Sequence, residues 1–366
     1  MAGTAEAADA ALHFGFSGPI QTVEAYGSGN INDTFLVRPG ADKPFILQRL
    51  NRRVFPRPEL VMQNLRACTA HVAGRLAQGP VAPGRRWEIP EILRARDGRD
   101  CWIASDGSFW RALTFIQGAV SFDLVRDRTH AGEVGFALGT FHRLIGDLPL
   151  EALSDTLEGF HITPGYLRHY DAVVANLPSA ASPEVRHAMR FIATRRASAA
   201  VLEAARAAGR LRPRPMHGDP KVNNVMIDAV SGQAVSFVDL DTLKPGLIQY
   251  DIGDCLRSCC NAAGEEAEDW EKIAFDLDLC QAILSGYLPA AQPMLDEADY
   301  GYLYDSLRLI AFELGLRFFT DYLEGDVYFK VRRPEHNLHR ALVQFQLAQS
   351  IELQAAHIQA IIHSLR

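Results

Sequence analysis

Acidic and amide side chains cluster in one short segment of the second half of the chain. His217, Asp219 and Asn224 follow the spacing HxDxxxxN, and Asp239 ends an apolar stretch 20 residues after Asp219. Phosphoryl transfer needs a carboxylate that orients the attacking hydroxyl and accepts its proton. It also needs an amide and a second carboxylate to hold Mg²⁺, because this hard cation prefers oxygen ligands. The residue types and their spacing therefore indicate phosphoryl transfer.

A predicted β-hairpin positions these groups. Apolar residues at 224–227 and 235–239 have the length of strands, and the residues 229–232 between them indicate a turn. A hairpin of this kind brings the two carboxylates and the amide to one end. Each residue alone is more simply explained as a turn or capping residue, but their joint occurrence favours a catalytic site.

The surrounding elements divide the chain into a β-rich first third and a helical remainder. In the first third, the hydrophobic pattern predicts strands at 22–27, 34–38, 45–50, 91–96, 101–104 and 110–116 and one helix at 58–77. Helical patterns follow at 129–148, 183–209, 265–287, 298–323 and 335–364. We therefore predict an α+β fold with a β-rich lobe over residues 1–116 and a helical lobe over 117–366.

Composition excludes several classes of protein. The chain has 366 residues, of which 48% are hydrophobic, and a formal charge of −7. This balance is that of a globular protein and argues against nucleic acid or an anionic membrane as a partner. No apolar run reaches the roughly 18 residues of a membrane helix. Six cysteines without metal-binding spacing indicate free thiols and a cytoplasmic location, whereas the oligomeric state stays open.

Five segments, in order along the chain, resemble the aminoglycoside phosphotransferase and choline kinase family, and within it the N-acetylhexosamine 1-kinases. They are GSGNINDTFLV (27–37), FILQRLN (45–51), HGDPKVNNVMID (217–228), FVDLDTLKPGLIQYDIGD (237–254) and ELGLRFFTDYLEGDVYF (313–329). The ELGLRFFTDYL part of the last segment is typical of the narrower subgroup. The resemblance implies a bilobal protein-kinase-like fold, with a small β-rich N-lobe and a large α-helical C-lobe that carries a short catalytic β-hairpin.

The resemblance also assigns roles around the hairpin. It implies that Asp219 is the catalytic base. The implied Mg²⁺ ligands are Asn224, Asp239 and, as an accessory carboxylate, Asp241. Two residues are expected to support the catalytic loop rather than to react, namely His217 and Asp251.

ATP is expected to contact a loop and a strand. The loop residues, together with one lysine of the catalytic loop, are Ser28, Gly29, Asn30, Ile31, Asn32 and Lys221. Kinases of this fold carry a cation on the third strand, where alternation here puts Gln48 and Arg49 on opposite faces. If Gln48 faces the nucleotide, the usual cation is missing and Mg²⁺ or Lys221 must compensate. If Arg49 faces it, Glu59 is a possible acidic partner.

The resemblance places the acceptor against residues from both ends of the chain. These residues are Asp33, Thr242, Arg317 and Tyr328. Arg317 lies in a long apolar helix and is equally explained by an ion pair with Asp321 at i+4. Tyr328 is equally explained as a packed aromatic residue.

The preferred hypothesis is an ATP- and Mg²⁺-dependent phosphotransferase with an alcohol group as acceptor. The resemblance favours an N-acetylhexosamine or related sugar, phosphorylated at the anomeric hydroxyl. One alternative keeps the chemistry but uses an amino alcohol, a homoserine-like compound or an aminoglycoside. An alternative of another class is a non-catalytic nucleotide-binding module, against which the joint presence of Asp219, Asn224 and Asp239 argues.

Overall fold

The computed structural model describes residues 3–27, 31–176 and 182–366, and its first part is an antiparallel sheet. The strands are β1 (Ile20–Ala25), β2 (Asp33–Pro39), β3 (Phe45–Leu50), β4 (Ile92–Leu93), β5 (Trp102–Ile103) and β6 (Phe109–Thr114). Their spatial order is β1-β2-β3-β6-β4, and β5 also pairs with β6. All of these pairings are antiparallel, as expected for a chain that joins neighbouring strands by turns.

Alternation of side chains along the strands gives this sheet two different faces. Phe35, Leu47 and Ala112 lie on the outer face, in a small core that they share with the N-terminal helix α1 (Thr4–Ala11). Leu50 and Leu113 lie on the inner face and belong to the main core of the protein. The register therefore decides which polar side chains face the helical part of the chain.

The remainder of the chain is mainly helical. One helix, α2 (Pro58–Leu76), lies between β3 and β4. The helices after the sheet are α3 (Arg128–Ile145), α4 (Thr163–Val174), α5 (Pro183–Arg195), α6 (Val201–Ala207), α7 (Ile248–Cys259), α8 (Leu277–Ala291), α9 (Glu297–Gly301), α10 (Leu303–Leu323), α11 (His336–Leu353) and α12 (Ala355–Ser364). The short strands among them are β7 (Ala119–Val120), β8 (Arg214–Met216), β9 (Val225–Asp228), β10 (Ala234–Phe237) and β11 (Lys244–Gly246). Strands β9 and β10 form the predicted hairpin, and β7 pairs with β9.

This architecture confirms the predicted α+β fold class, with a sheet before a larger helical part. The lobe boundary between residues 116 and 117 stays a prediction. No helix within the described ranges is long and apolar enough to cross a membrane. All six cysteines are free thiols, whereas the cytoplasmic location stays a prediction.

Some predicted helices are shorter than the hydrophobic pattern indicates. The helix predicted over 183–209 breaks after Arg195, where the Ser198 hydroxyl donates to the Arg195 carbonyl at 2.8 Å. Asp276 accepts a hydrogen bond from the Leu279 N–H and begins α8 there, well after residue 265. These breaks are made by local side-chain hydrogen bonds, which compete with the helix and leave the apolar period unchanged.

Glycines allow α3 and α8 to approach each other closely. A Cβ atom on Gly135 would overlap the Ile283 carbonyl, and one on Gly139 would lie 2.6 Å from the Tyr287 carbonyl oxygen. The close approach brings His142 of α3 within hydrogen-bonding distance of the Tyr287 hydroxyl of α8, at 3.1 Å. A Cβ atom on Gly286 of α8 would likewise overlap the Gly132 carbonyl oxygen of α3, so the packing of the two helices depends on the absence of side chains at these positions.

We expect Gly135→Ala to lower the free energy of unfolding by about 3 kcal/mol or more, because the methyl group forces the two backbones apart. Gly74→Ala is the control, since a Cβ there meets no atom within 4 Å. In the exposed part of α2 it should stabilise the protein by about 0.5–1 kcal/mol. Urea unfolding of both variants measures the difference, and similar values for the two would contradict the packing argument.

Candidate active site

A buried carboxylate on α7 holds the loop that carries the acidic motif. Asp251 is fully buried and accepts hydrogen bonds from the backbone N–H groups of His217, at 2.6 Å, and Gly218, at 2.8 Å. Its Oδ2 also lies 2.8 Å from His142 Nε2. Burial raises the pKa of Asp251, but the hydrogen bond from His142 and those from the loop outweigh it and hold the pKa below its usual value. The carboxylate is therefore ionised and anchors the loop to α7.

The loop itself requires a glycine and a neutral histidine. Gly218 has φ = +88°, and a Cβ atom there would lie 2.7 Å from the Thr242 carbonyl oxygen. Burial lowers the pKa of His217, whose Nε2 donates to the Val238 carbonyl at 3.0 Å while Nδ1 accepts from the Asp219 N–H at 3.2 Å. His217 thus links the loop to the hairpin as a neutral side chain. The Thr242 hydroxyl donates to the His217 carbonyl at 2.8 Å, so this predicted acceptor-binding group also holds the loop.

Asp219 lies between a cation and an amide. Its Oδ2 is 2.7 Å from Lys221 Nζ, and the Asn224 side chain donates through Nδ2 to the Asp219 carbonyl oxygen at 2.8 Å. Burial raises the pKa of Asp219, but the charge and hydrogen bond of Lys221 outweigh it and keep the pKa below its usual value. The Asp219 side chain is 29% exposed. An ionised and accessible carboxylate of this kind can accept a hydrogen bond from a bound hydroxyl.

Asp239 follows the hairpin and adds a second carboxylate. The N–H of the preceding Val238 donates to the Asn224 carbonyl at 2.9 Å, and Asp239 itself is left-handed, with φ = +61°. Burial and the charges of Asp241 and Asp219 raise the pKa of Asp239 to about 7. A cation nearby would stabilise the ionised form of a carboxylate in such surroundings. The Asn224 NH₂ group points to Asp219, and its side-chain oxygen together with the Asp239 carboxylate forms the set of oxygen donors that suits Mg²⁺.

Asp241 lies deeper and connects the hairpin to the sheet. Its side chain is 3% exposed, and its Oδ1 lies 2.5 Å from Nη2 of Arg111 on β6. Its Oδ2 accepts a hydrogen bond from Asn32 Nδ2 at 2.7 Å, and Asn32 Oδ1 accepts one from the Asn51 N–H at 3.0 Å. Sequence reasoning expected a carboxylate near the metal here. In the structure Oδ1 faces Arg111 of β6 and Oδ2 faces Asn32, the residue before β2, and the role of Asp241 at the metal stays a prediction.

The register of β3 places Gln48, and not Arg49, on the inner face. Gln48 Oε1 accepts hydrogen bonds from Arg111 Nε at 2.9 Å and Nη2 at 2.7 Å. Arg49 lies on the outer face and donates to the Asp33 carboxylate at 2.9 and 3.1 Å. The considered pair of Arg49 with Glu59 is therefore replaced by a pair with Asp33. Both members of that pair lie on the face opposite to Gln48, and the nucleotide- and acceptor-binding roles of these residues stay predictions.

The predicted phosphate loop is described only in part. Ser28, Gly29 and Asn30 lie outside the described residues. Ile31 is 39% exposed, and Asn32 makes the contact with Asp241 given above. The nucleotide-binding roles of these loop residues stay predictions.

Arg317 on α10 has an aromatic environment. Its guanidinium carbon lies 5.1–6.0 Å from the ring centroids of Phe160, Tyr166, Tyr328 and Phe329. Asp321, the partner considered from the sequence, instead accepts hydrogen bonds from the N–H groups of Tyr328 and Phe329 at 2.7 and 3.0 Å. Within the described ranges, the Arg317 guanidinium makes no hydrogen bond or ion pair. Its donors are therefore available to a ligand.

A buried ion pair, which sequence reasoning missed, joins the catalytic loop to α10. His161 Nε2 lies 2.9 Å from the Gly218 carbonyl oxygen, and Nδ1 lies 2.9 Å from Glu313 Oε1. Both partners are acceptors, so both ring nitrogens carry protons and the ring is cationic. Burial lowers the pKa of His161, but Glu313 outweighs it and raises the pKa above its usual value. Only the proximity of residues 152 positions apart reveals this pair.

Comparisons with known proteins agree with this architecture. Residues 22–293 match the sequence profile of the phosphotransferase enzyme family. The crystal structure of an aminoglycoside phosphotransferase from Alicyclobacillus acidocaldarius is similar at a TM-score of 0.63 and 15% identity, covering 98% of this chain and 94% of that chain. The microcompartment-associated aminopropanol kinase is similar at a TM-score of 0.62 and 15% identity, covering 97% of this chain and 98% of that chain. An amicoumacin kinase in complex with AMP-PNP and Ca²⁺ is similar at a TM-score of 0.58 and 15% identity, covering 94% of this chain and 92% of that chain.

The His161–Glu313 pair predicts a pH dependence of stability. A raised histidine pKa stabilises the fold below about pH 6.5, and this contribution is lost as the pH rises through the pKa of the folded state. Wild type should therefore lose stability relative to His161→Gln/Glu313→Gln as the pH is raised from 6 to 9. Urea unfolding at each pH measures the difference.

The control is the exposed pair of His169 and Glu324, at 3.0 Å. The variant His169→Gln/Glu324→Gln should follow wild type within about 1 kcal/mol at every pH. A wild-type advantage over His161→Gln/Glu313→Gln that grows with pH would contradict the assignment of a cationic His161.

Proposed function

The chain belongs to the phosphotransferase enzyme family, and from that premise we propose that it transfers a phosphoryl group from ATP to the anomeric hydroxyl of an N-acetylhexosamine or a related sugar. The observation that carries the kinase chemistry is the ionised, accessible carboxylate of Asp219 beside the oxygen donors of Asn224 and Asp239. The choice of acceptor depends on Arg317 and on the resemblance of its segment to the N-acetylhexosamine 1-kinases.

The arrangement supports a direct transfer. Asp219 accepts a hydrogen bond from the acceptor hydroxyl and takes its proton while the hydroxyl oxygen bonds to the γ-phosphorus. The bond from that phosphorus to the bridging oxygen breaks, and ADP leaves. Lys221 keeps Asp219 ionised before the proton moves. Mg²⁺, held by Asn224 and Asp239, would offset the negative charge of the phosphates.

The environment of Arg317 supports an acceptor rich in oxygen. Guanidinium groups donate to oxygen atoms in a fixed, planar geometry, and the donors of Arg317 are not bonded to other described residues. Aromatic faces around the cation are also suited to the apolar faces of a sugar ring. The side chain thus has the chemistry to hold the hydroxyl or amide oxygens of an acetylated sugar.

The same environment disfavours a cationic acceptor. The two acidic side chains that act on Arg317, Glu313 and Asp254, are already paired with His161 and Arg257. An ammonium group bound here would face the Arg317 guanidinium and would find these carboxylates neutralised. Amino alcohols and aminoglycosides therefore remain the second choice of acceptor.

Turnover of Mg²⁺-ATP should be measured on a panel of free sugars and amino alcohols, with ³¹P NMR of each product. We expect an anomeric phosphate signal from an N-acetylhexosamine, and a loss of about 10²–10⁴-fold in kcat for Asp219→Ala. Asp228→Ala is the control, because Asp228 lies on the same hairpin but caps a turn with Ser231 and pairs with Arg86. It should keep the wild-type kcat.

Other results of this panel have clear meanings. Turnover on an amino alcohol alone would keep the mechanism and discard the sugar. ATP binding without turnover on any member of the panel would favour the non-catalytic alternative. Undiminished kcat in Asp219→Ala would refute the role of Asp219 as the base.

Arg317→Met should raise KM for the sugar by roughly 10- to 100-fold, because a charged hydrogen-bond donor is lost, and should leave KM for ATP unchanged. Arg308→Met is the matched control, since Arg308 lies on the same helix near Tyr304 and is paired with Asp305. Steady-state kinetics with each substrate varied in turn distinguishes the two. An equal change in both KM values would indicate a structural role for Arg317.

A further inference from the structure

Arg111 is a buried cation on the inner face of the sheet, opposite the residue where kinases of this fold carry theirs. It is the register partner of Gln48 across β3 and β6, and its side chain is 1% exposed. Gln48 accepts two hydrogen bonds from the guanidinium through Oε1 and turns its NH₂ group to Thr34 Oγ1 at 3.0 Å. The amide therefore orients the guanidinium and adds no charge.

One donor group of this guanidinium has no partner in the part of the chain that the structure describes. Nη2 contacts the Asp241 carboxylate, whereas Nη1 is buried and makes no hydrogen bond among the described residues. Buried donors without a partner are rare in folded proteins and call for an explanation, such as a missing ligand. The guanidinium thus contacts a carboxylate that lies two residues after Asp239, one of the expected Mg²⁺ ligands.

We propose that Arg111 is the phosphate-binding cation of this protein, and that Nη1 donates to an oxygen of the α- or β-phosphate of ATP. It would replace the lysine that kinases of this fold carry on the third strand. The inference rests on the proposed function only in requiring that the chain binds ATP. It is independent of the identity of the acceptor.

The geometry of neighbouring strands explains how an arginine on β6 can take the place of a lysine on β3. Residues opposite each other in an antiparallel pair have Cβ atoms about 4.5–5.5 Å apart. A long side chain at position 111 therefore reaches the space that a lysine at position 48 would fill. A lysine at 48 would also repel the Arg111 guanidinium, whereas the glutamine oxygen accepts hydrogen bonds from it. The two terminal NH₂ groups of arginine lie on opposite arms of a planar fork, so one can contact Asp241 while the other contacts a phosphate.

The test separates phosphate binding from folding by comparing ATP and ADP with adenosine, each titrated calorimetrically in the presence of Mg²⁺. Arg111→Met should weaken ATP and ADP binding by about 10- to 100-fold and leave adenosine binding unchanged. A general loss of folding would weaken all three ligands alike. Arg214→Met is the matched control, because Arg214 is also buried and ion-paired, with Asp299. It should lower Tm without changing the ratio of ADP to adenosine affinity.

Arg111→Met leaves Asp241 buried without its cation, which can prevent folding. Arg111→Met/Asp241→Asn avoids this charge and is compared with Asp241→Asn alone. A lower ADP-to-adenosine affinity ratio in the double variant supports the proposal, and equal ratios overturn it. Wild-type protein that binds adenosine but neither ATP nor ADP would overturn the proposed function as well. Tight ATP binding by wild type with an unchanged ratio in Arg111→Met would overturn only the role of Arg111.

Discussion

Asp251 accepts hydrogen bonds from two successive backbone N–H groups of the catalytic loop and a third from His142. These three bonds compensate for the burial of a charge, which would otherwise be very costly. Because His142 also contacts Tyr287 of α8, the loop is tied to three helices, α3, α7 and α8. The positions of Asp219 and the hairpin residues that follow it depend on this anchor.

A chain of polar groups continues from the hairpin to the sheet. Asp241 contacts Asn32, the residue before β2, and Arg111 of β6, and Arg111 in turn is hydrogen-bonded to Gln48 of β3. Hydrogen bonds join Asn32 to Asp241 and Arg111 to Gln48, and the ion pair between Arg111 and Asp241 is almost fully buried. The N-terminal part of the chain and the hairpin are therefore joined by polar contacts as well as by apolar packing. Such bonds lose their geometry sharply when a partner shifts.

The other side of the loop is joined to the helix that carries Arg317. His161 contacts the carbonyl of Gly218 and the carboxylate of Glu313, one helical turn before Arg317 on α10. The residue after Gly218 is Asp219, so the proposed base and the proposed acceptor-binding arginine share one rigid support. A catalytic carboxylate and a substrate-binding cation need this fixed relation, because transfer in line depends on how the acceptor is oriented.

The sequence by itself determined the α+β class, the position of the hairpin and the proximity of Asp219, Asn224 and Asp239, the proposed catalytic and metal-binding residues. These features follow from local patterns: apolar runs of strand or helix length, turn residues, and polar groups at short spacing. Helix ends were less predictable, as at Ser198, because side-chain hydrogen bonds there do not alter the apolar period.

The tertiary structure alone decided the register of β3 against β6. That register places Gln48 and Arg111 together on the inner face, while Arg49 pairs with Asp33. The tertiary structure alone also decided that Asp321 accepts from the Tyr328 N–H, that Arg317 has no ion pair among the described residues, and that His161 contacts Glu313. Contacts of this kind join residues far apart in the chain, and their geometry depends on the packing of whole elements, which no local pattern records.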